Sequence, residues 1–349
     1  MMPEVRPSMR RWGGLWLIAS ALIATSAGAQ IVPSQACALS QRPIEATLAA
    51  PAAPPGGEAP QLGVELISPA TGEVVETRPA KAGPVDLAEL FPKLWSTDAP
   101  RTLCVQAVSG KERIGPPLVL VPMLIPRYAQ RVDRDGTPRI FSPASKPTLS
   151  GYWMWTDQRV QVNTAKGAVV FALHPEAAPN SVRNFRDLVS KGFYDATPIH
   201  RIASISGRTL PDIIQFGDPT GTGQGGPGYF IDFEPSTLRH AFGTLSYAHT
   251  SDPNSAGSQV FVCLGSKSSG GGDGSPRAGV AAQLDGKYTA FATLVSGSEA
   301  LAALAKTPVD ADGKPREPVT IQSVKLIDAP PFGTGPKPEG DPFEKPTGR

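Results

Sequence analysis

Three polar residues stand inside apolar, strand-like runs in the C-terminal half of the 349-residue chain. Arg201 follows His200 between Ile199 and Ile202, Gln215 follows Ile213-Ile214, and Gln259 precedes Val260-Phe261. A guanidinium is a fixed, permanently charged donor, and a primary amide both donates and accepts. Taken singly, each residue fits a satisfied structural polar group or a solvated arginine. Their joint spacing makes them a candidate site.

Other chemistries find no matching residues. His174, His200, His240 and His249 form no metal-ligand pair such as HExxH, and there is no GxSxG elbow for a hydrolase. No CxxC occurs, which argues against a redox motif or a zinc knuckle. Gly221 to Gly226 formally matches GxGxxG. A dinucleotide site needs a helix directly after the glycines, and here Pro227-Gly228-Tyr229 and a strand-like FIDF follow. The stretch reads as a turn-rich loop whose glycines let backbones approach closely.

The elements that must position these residues begin at Gly167 with GAVVFALH. A helix is predicted from about Ser181 to Ser190, capped by Asn180-Ser181 and ended by Lys191-Gly192. Strands are predicted at 197–203, 213–217, 244–249, 259–264, 289–295 and 319–327, with a second helix at 296–306. Many short strands with two helices suggest a closed barrel with helical caps. Residues 62–148 carry the apolar runs LGVELI, LCVQAV and PLVLVPMLI between turn signals, which suggests a small β-rich domain. Residues 30–61, ending in TLAAPAAPPGGEAPQ, read as a flexible segment and linker. The Pro- and Gly-rich tail, 329–349, reads as disordered.

At the N-terminus, Arg6, Arg10 and Arg11 precede an apolar run from Trp12 to Ala24 and the small residues Ala27-Gly28-Ala29. This is the pattern of a cleaved signal peptide over residues 1–29, too short to span a bilayer. The expected location is periplasmic or secreted, with no stable membrane span after cleavage. Losing three Arg and one Glu with the signal would balance basic and acidic residues, so nucleic-acid binding is not suggested. An oxidising compartment permits disulfides. Cys37 and Cys104 are expected to pair, and Cys263 is expected to be a buried thiol.

The motifs NFRDLVSKGFYDATPIHRI, IIQFGDPTGTGQGGPGY, GTLSYAH, NSAGSQVFV and LDGKYTAFATLVSG occur in this order. From about Gly167 to Ile327 the chain resembles the cyclophilins. The resemblance implies a mainly β fold, a closed antiparallel eight-stranded barrel capped by two helices, over residues 160–328. It implies peptidyl-prolyl cis/trans isomerase activity on unfolded or proline-containing polypeptides, with no cofactor and no metal. Carried over by motif, Arg201 matches the catalytic arginine and Gln215 the glutamine that bonds the substrate backbone. Phe261 matches the floor of the proline pocket, with Ile213 and Leu284 as walls. Ala248 and His249 match the strand that pairs with substrate, although the family usually has Asn where His249 stands. Gln259 matches a buried glutamine beside the groove, and Tyr288 a position held by His or Tyr.

Four departures accompany the resemblance. Asp212 stands where the family usually has Phe, so one pocket wall is missing or supplied from elsewhere. About six extra residues lie between Arg201 and Gln215. A longer glycine-rich loop precedes Leu284. Gln283 replaces the tryptophan associated with tight cyclosporin binding. A module that binds proline peptides in the same groove without turnover is the alternative.

Overall fold

The computed structural model describes residues 31–50, 61–142, 146–206, 210–265 and 283–340. The expected signal segment 1–29, linker residues 51–60 and most of the glycine-rich loop before Leu284 lie outside the described residues. Among the described residues, no helix is long and apolar enough to cross a membrane.

Twelve strands precede residue 157 among the described residues. They are β1 (Ile31–Pro33), β2 (Cys37–Leu39), β3 (Glu45–Leu48), β4 (Leu62–Ser68), β5 (Glu73–Pro79), β6 (Gly83–Asp86), β7 (Leu103–Ser109), β8 (Glu112–Arg113), β9 (Leu118–Pro122), β10 (Tyr128–Val132), β11 (Pro138–Phe141) and β12 (Gly151–Thr156). A one-turn helix α1 (Leu87–Leu90) follows β6. Residues 31–48, expected to be flexible, thus form three strands. The main sheet runs β2-β12-β9-β7-β4-β5, β1-β3-β6 forms a second sheet, and β10-β11 is a separate hairpin.

The continuous apolar runs of β7 and β9 reflect burial on both faces of the main sheet. Val105, Leu118 and Leu120 face a core shared with Ile31, Leu87 and Phe91. Cys104, Val119, Val121 and Trp155 face the other way and join the core of the C-terminal barrel.

That barrel is closed, in the order β13 (Gln158–Thr164), β14 (Gly167–Leu173), β19 (Ala290–Ser296), β17 (Thr244–Tyr247), β18 (Val260–Cys263), β16 (Ile213–Phe216), β15 (Pro198–Ala203), β20 (Val319–Asp328). β20 returns to β13, and every pair is antiparallel. The fold is the mainly β, eight-stranded barrel that the motifs imply. Its first strand carries only Val160 and Val162 as aliphatic residues, too weak a pattern to stand out among polar neighbours. The helix α2 (Pro179–Ser190) buries Val182, Phe185, Leu188 and Val189 against the barrel, and α3 (Ser298–Ala305) buries Leu301 and Leu304.

The start of α2 differs from expectation. Asn180 and Ser181 lie inside its first turn and do not cap it; Ala178 is the N-cap and offers no side chain. The carboxylate of Glu234 takes over instead, accepting from Asn180 N at 3.0 Å, Ser181 N at 2.7 Å, Asn180 Nδ2 at 3.0 Å and Ser181 Oγ at 2.7 Å. An anion there satisfies orphan donors and complements the helix dipole. Local sequence could not reveal a cap 53 residues away.

The main sheet meets α2 through stacked cations. Arg183 lies 4.4 Å over the Trp153 ring and Arg186 lies 4.6 Å over Trp155. Behind them Asp157 joins β12 to β13, and burial pushes its pKa up to about 6.

Two further expectations are corrected. Cys37 and Cys104 form no disulfide. β12 and β9 lie between their strands, so three inter-strand steps of about 4.8 Å separate them, beyond the roughly 7 Å that a disulfide can bridge. The tail expected to be disordered is tied down over much of 329–340. Phe332 donates its N–H to Gln106 Oε1 at 2.7 Å, and its carbonyl accepts from Arg113 Nη1 at 2.9 Å. Glu339 accepts from the N–H groups of Gly297 and Ser298 at the start of α3, at 3.0 and 2.8 Å. Proline and glycine keep regular structure out of 329–340, but Phe332 and Glu339 find distant partners there that composition does not reveal.

Candidate active site

Register puts four residues in one row across adjacent strands. Arg201 of β15 pairs with Gln215 of β16, Gln215 with Phe261 of β18, and Phe261 with Ser246 of β17. Strand alternation turns Ile214 and Val262 into the barrel, so Ile213, Gln215, Phe261 and Cys263 share the outer face. Arg201 is exposed at one end of the row, beside a bulge between Ile199 and Arg201.

A chain of hydrogen bonds fixes the amide in this row. Gln215 Nε2 donates to Gln259 Oε1 at 3.0 Å. Gln259 Nε2 in turn donates to the carbonyls of Gly223 and Gly225, at 3.0 and 2.9 Å. The loop carrying these carbonyls is folded around Asp218, whose carboxylate accepts from Thr220 N, Thr220 Oγ1 and Gly223 N. Burial opposes ionisation of Asp218, yet the bonds from Thr220 and the loop amides hold its pKa down to about 2. A side chain at Gly225 would collide with that carboxylate. The GxGxxG match is therefore a loop wrapped on an aspartate, and no helix follows it.

Beside the row lies an apolar pocket. Ile213, Phe261, Cys263 and Leu284 form one buried cluster, with Ala203, Ile205, Ala248 and Tyr288 packed against it. The Phe261 ring is braced from two sides. Tyr288 meets it edge-on at 5.5 Å, and His240 stacks at 5.9 Å. His240 is locked between Asp285 Oδ1 at Nδ1, 2.9 Å, and Ser246 Oγ at Nε2, 3.0 Å. Burial pulls the His240 pKa down, opposed by Asp285. The Asp285 carboxylate, despite burial, is held below its usual range by bonds from His240 and Arg239.

Ala248 and His249 continue from β17. Ala248 N donates to the Gln259 carbonyl at 2.9 Å. The His249 ring stacks on Tyr288 at 4.3 Å, with Nε2 2.8 Å from the Lys287 carbonyl. All nine residues singled out from the motifs thus fall on one side of the barrel, around the β15-β16-β18-β17 face and the Leu284–Tyr288 turn.

Sequence reasoning missed the supports: Asp218, His240, Asp285 and the loop residue Ile205. The run GDPTG after β16 was a legible turn signal for the first. His240 and Asp285 gave none, because 45 residues separate them and only the fold joins them.

The closed antiparallel barrel thus presents an exposed guanidinium, an oriented amide and an aromatic-floored pocket on its outer face. The family model described as cyclophilin type peptidyl-prolyl cis-trans isomerase/CLD matches residues 159–326. A Staphylococcus haemolyticus protein named provisionally as a peptidyl-prolyl cis-trans isomerase is 35% identical over 188 residues, covering 49% of this chain and 91% of the relative. A provisionally named counterpart from Staphylococcus aureus is 32% identical over 201 residues, 52% of this chain and 98% of the relative. Among solved structures, a Cryptosporidium parvum cyclophilin type isomerase is 31% identical and aligns with 50% of this chain and 99% of its own, at a TM-score of 0.41. The chain belongs to the cyclophilin-type peptidyl-prolyl cis-trans isomerases. Residues 31–156 lie outside the family match.

Proposed function

We propose that the domain accelerates X-Pro bond rotation in exported polypeptides, with Arg201 as the transition-state donor. The observation that carries this reading is the single row Arg201–Gln215–Phe261. Rotation about an amide costs roughly 18–20 kcal/mol because the C–N bond has double-bond character. During rotation the prolyl nitrogen loses conjugation and its lone pair becomes an acceptor. A guanidinium placed there binds the twisted state better than the planar one, which is the condition for catalysis.

The other residues hold the two sides of the rotating bond. Phe261, Ile213 and Leu284 bury the prolyl ring, with Tyr288 bracing the floor. Gln215, oriented by Gln259, steadies the backbone on the far side. The Ala248-His249 segment offers its edge to an extended substrate chain. No group is asked to form a covalent bond, so binding and one charged donor suffice.

The client class rests on the N-terminal pattern. Residues 1–29 carry the charge, apolar run and small residues of a signal peptide, which points to a periplasmic or secreted enzyme acting on newly exported, unfolded chains. Fractionation of cells expressing the full chain tests the location; accumulation of uncleaved protein in the cytoplasm would overturn it. An isomerisation assay on an Xaa-Pro peptide, using the chain from residue 30 onward, tests the activity. Binding without acceleration would support the non-catalytic proline-peptide module instead.

A further inference from the structure

The departure at position 212 has a structural answer. Asp212 is fully buried. Its backbone continues both neighbouring ladders, donating to the Ala203 carbonyl at 2.8 Å and accepting from Leu264 N at 2.7 Å. A carboxylate supplies the pocket with no aromatic wall. Oδ2 instead accepts from Ile205 N at 2.8 Å, Ser206 N at 2.7 Å, Ser206 Oγ at 2.6 Å and Ser204 Oγ at 3.2 Å. Successive backbone N–H groups around one oxygen make an anion-binding concavity. The cost of burying a carboxylate is offset by these donors.

These bonds have a geometric consequence. They fold the first residues of the insertion back toward the strand, and Ile205 packs against the cluster of Ile213, Phe261, Cys263 and Leu284. An apolar side chain from the inserted segment therefore stands beside the pocket whose expected aromatic wall is missing.

We infer that Ile205 is a wall of the proline-ring pocket and a determinant of substrate binding, with Asp212 as the positioning residue that holds it there. This rests on the reading of that pocket as the site for the prolyl ring. The wall is aliphatic and loop-borne, so the insertion and the Asp212 substitution form one device. Aspartate at 212 supplies no apolar surface itself; it binds the loop that does. Ring binding, and not the donor Arg201, is what the device serves.

The test measures kcat and KM for an Xaa-Pro tetrapeptide with the chain from residue 30 onward, for wild type, Ile205→Ala, Asp212→Asn and the double variant. Ile205 is only partly buried and its truncation leaves the barrel core intact, so that variant folds even if Asp212→Asn does not. Ile205→Ala is expected to raise KM roughly 5-fold or more, in the range of losing apolar contact in a pocket, with kcat changed less than about twofold. Asp212→Asn should raise KM similarly, and the double variant should be no worse than the more affected single variant, because both act through one contact. An unchanged KM for Ile205→Ala in an active enzyme overturns the inference. Fully additive effects overturn the role of Asp212 as positioner. A wild-type chain without activity overturns the proposed function instead.

Discussion

Gln215 Nε2 donates to Gln259 Oε1 at 3.0 Å, and the direction of that bond is forced. Gln259 faces two carbonyls, Gly223 O and Gly225 O, which accept only from its amide nitrogen. Its oxygen must then point at Gln215, which presents its own nitrogen and keeps its oxygen for another partner. On the proposed function, that partner is a substrate backbone N–H.

Replacing Gln259 by Leu should therefore damage the site through Gln215. The two glycine carbonyls lose their donors and the Gln215 amide is free to turn. The oriented Gln215 bond is of the order of one hydrogen bond, about 0.5–1.5 kcal/mol, so a fall in kcat/KM of up to about tenfold is expected in a peptide isomerisation assay. Full activity in this variant would mean that Gln215 needs no orientation.

Acid should loosen the loop that holds Gln259. Asp218 has its folded-state pKa depressed to about 2 from a usual carboxylate value of 3.8. A depressed carboxylate contributes stability above its unfolded pKa and loses it as pH falls toward the folded value. The contribution is complete above about pH 5 and declines between about pH 4 and 2. Asp218→Asn should flatten this part of the stability profile, measured by thermal melts across pH 2–6. It should also lower activity at neutral pH, since an amide nitrogen would face the donors of Thr220 or Gly223. An unchanged acid limb would assign the transition to other carboxylates.

Glu234 is expected to matter for stability more than for catalysis. Its carboxylate replaces the missing cap of α2, the helix that seals one side of the barrel. Glu234→Gln turns one acceptor into a donor facing donors. A loss of about 1–2 kcal/mol is expected, in line with removal of a helix cap, read as a lower denaturation midpoint with little change in kcat. Unaltered stability would show that solvent can satisfy Asn180 and Ser181 equally well.

Cyclosporin should bind weakly. Gln283 is exposed next to the pocket residue Leu284, and its amide offers the apolar drug less surface than an indole and must be desolvated. Titration that returned nanomolar affinity would mean that another side chain fills the gap.

Much of the barrel was legible because its strands are short apolar runs separated by strong turn signals. The nine candidate site residues fall together because motif order is preserved from His200 to Tyr288. What stayed hidden is non-local. The Glu234 cap and the seat of His240 are contacts between residues far apart in sequence, whereas the Asp218 loop is local and its turn signal was there to be read. The two-faced burial of β7 and β9 was readable as continuous hydrophobicity, but not which face would meet the barrel. Composition misled at the tail, where Gln106, Arg113 and two helix-start amides supply the partners that proline-rich sequence cannot provide for itself.

Arg201 carries the sharpest prediction. It sits exposed at the end of the row and contributes little to the core, so Arg201→Ala should fold with an unchanged melting midpoint. Loss of one preorganised transition-state donor costs about 10²–10³ in rate, and kcat should fall on that scale. Affinity for a proline peptide should change far less, because Phe261, Ile213 and Leu284 remain in place. Arg201→Lys discriminates further. It keeps the charge but exchanges a rigid planar fork for a flexible ammonium, so partial rescue is expected if charge dominates and almost none if geometry does. The measurement pairs isomerisation kinetics with binding of a non-reactive proline peptide for all three proteins. An alanine variant that turns over at the wild-type rate would place the donor elsewhere on the barrel face. Equal losses of rate and affinity would make Arg201 a ground-state anchor for the substrate chain.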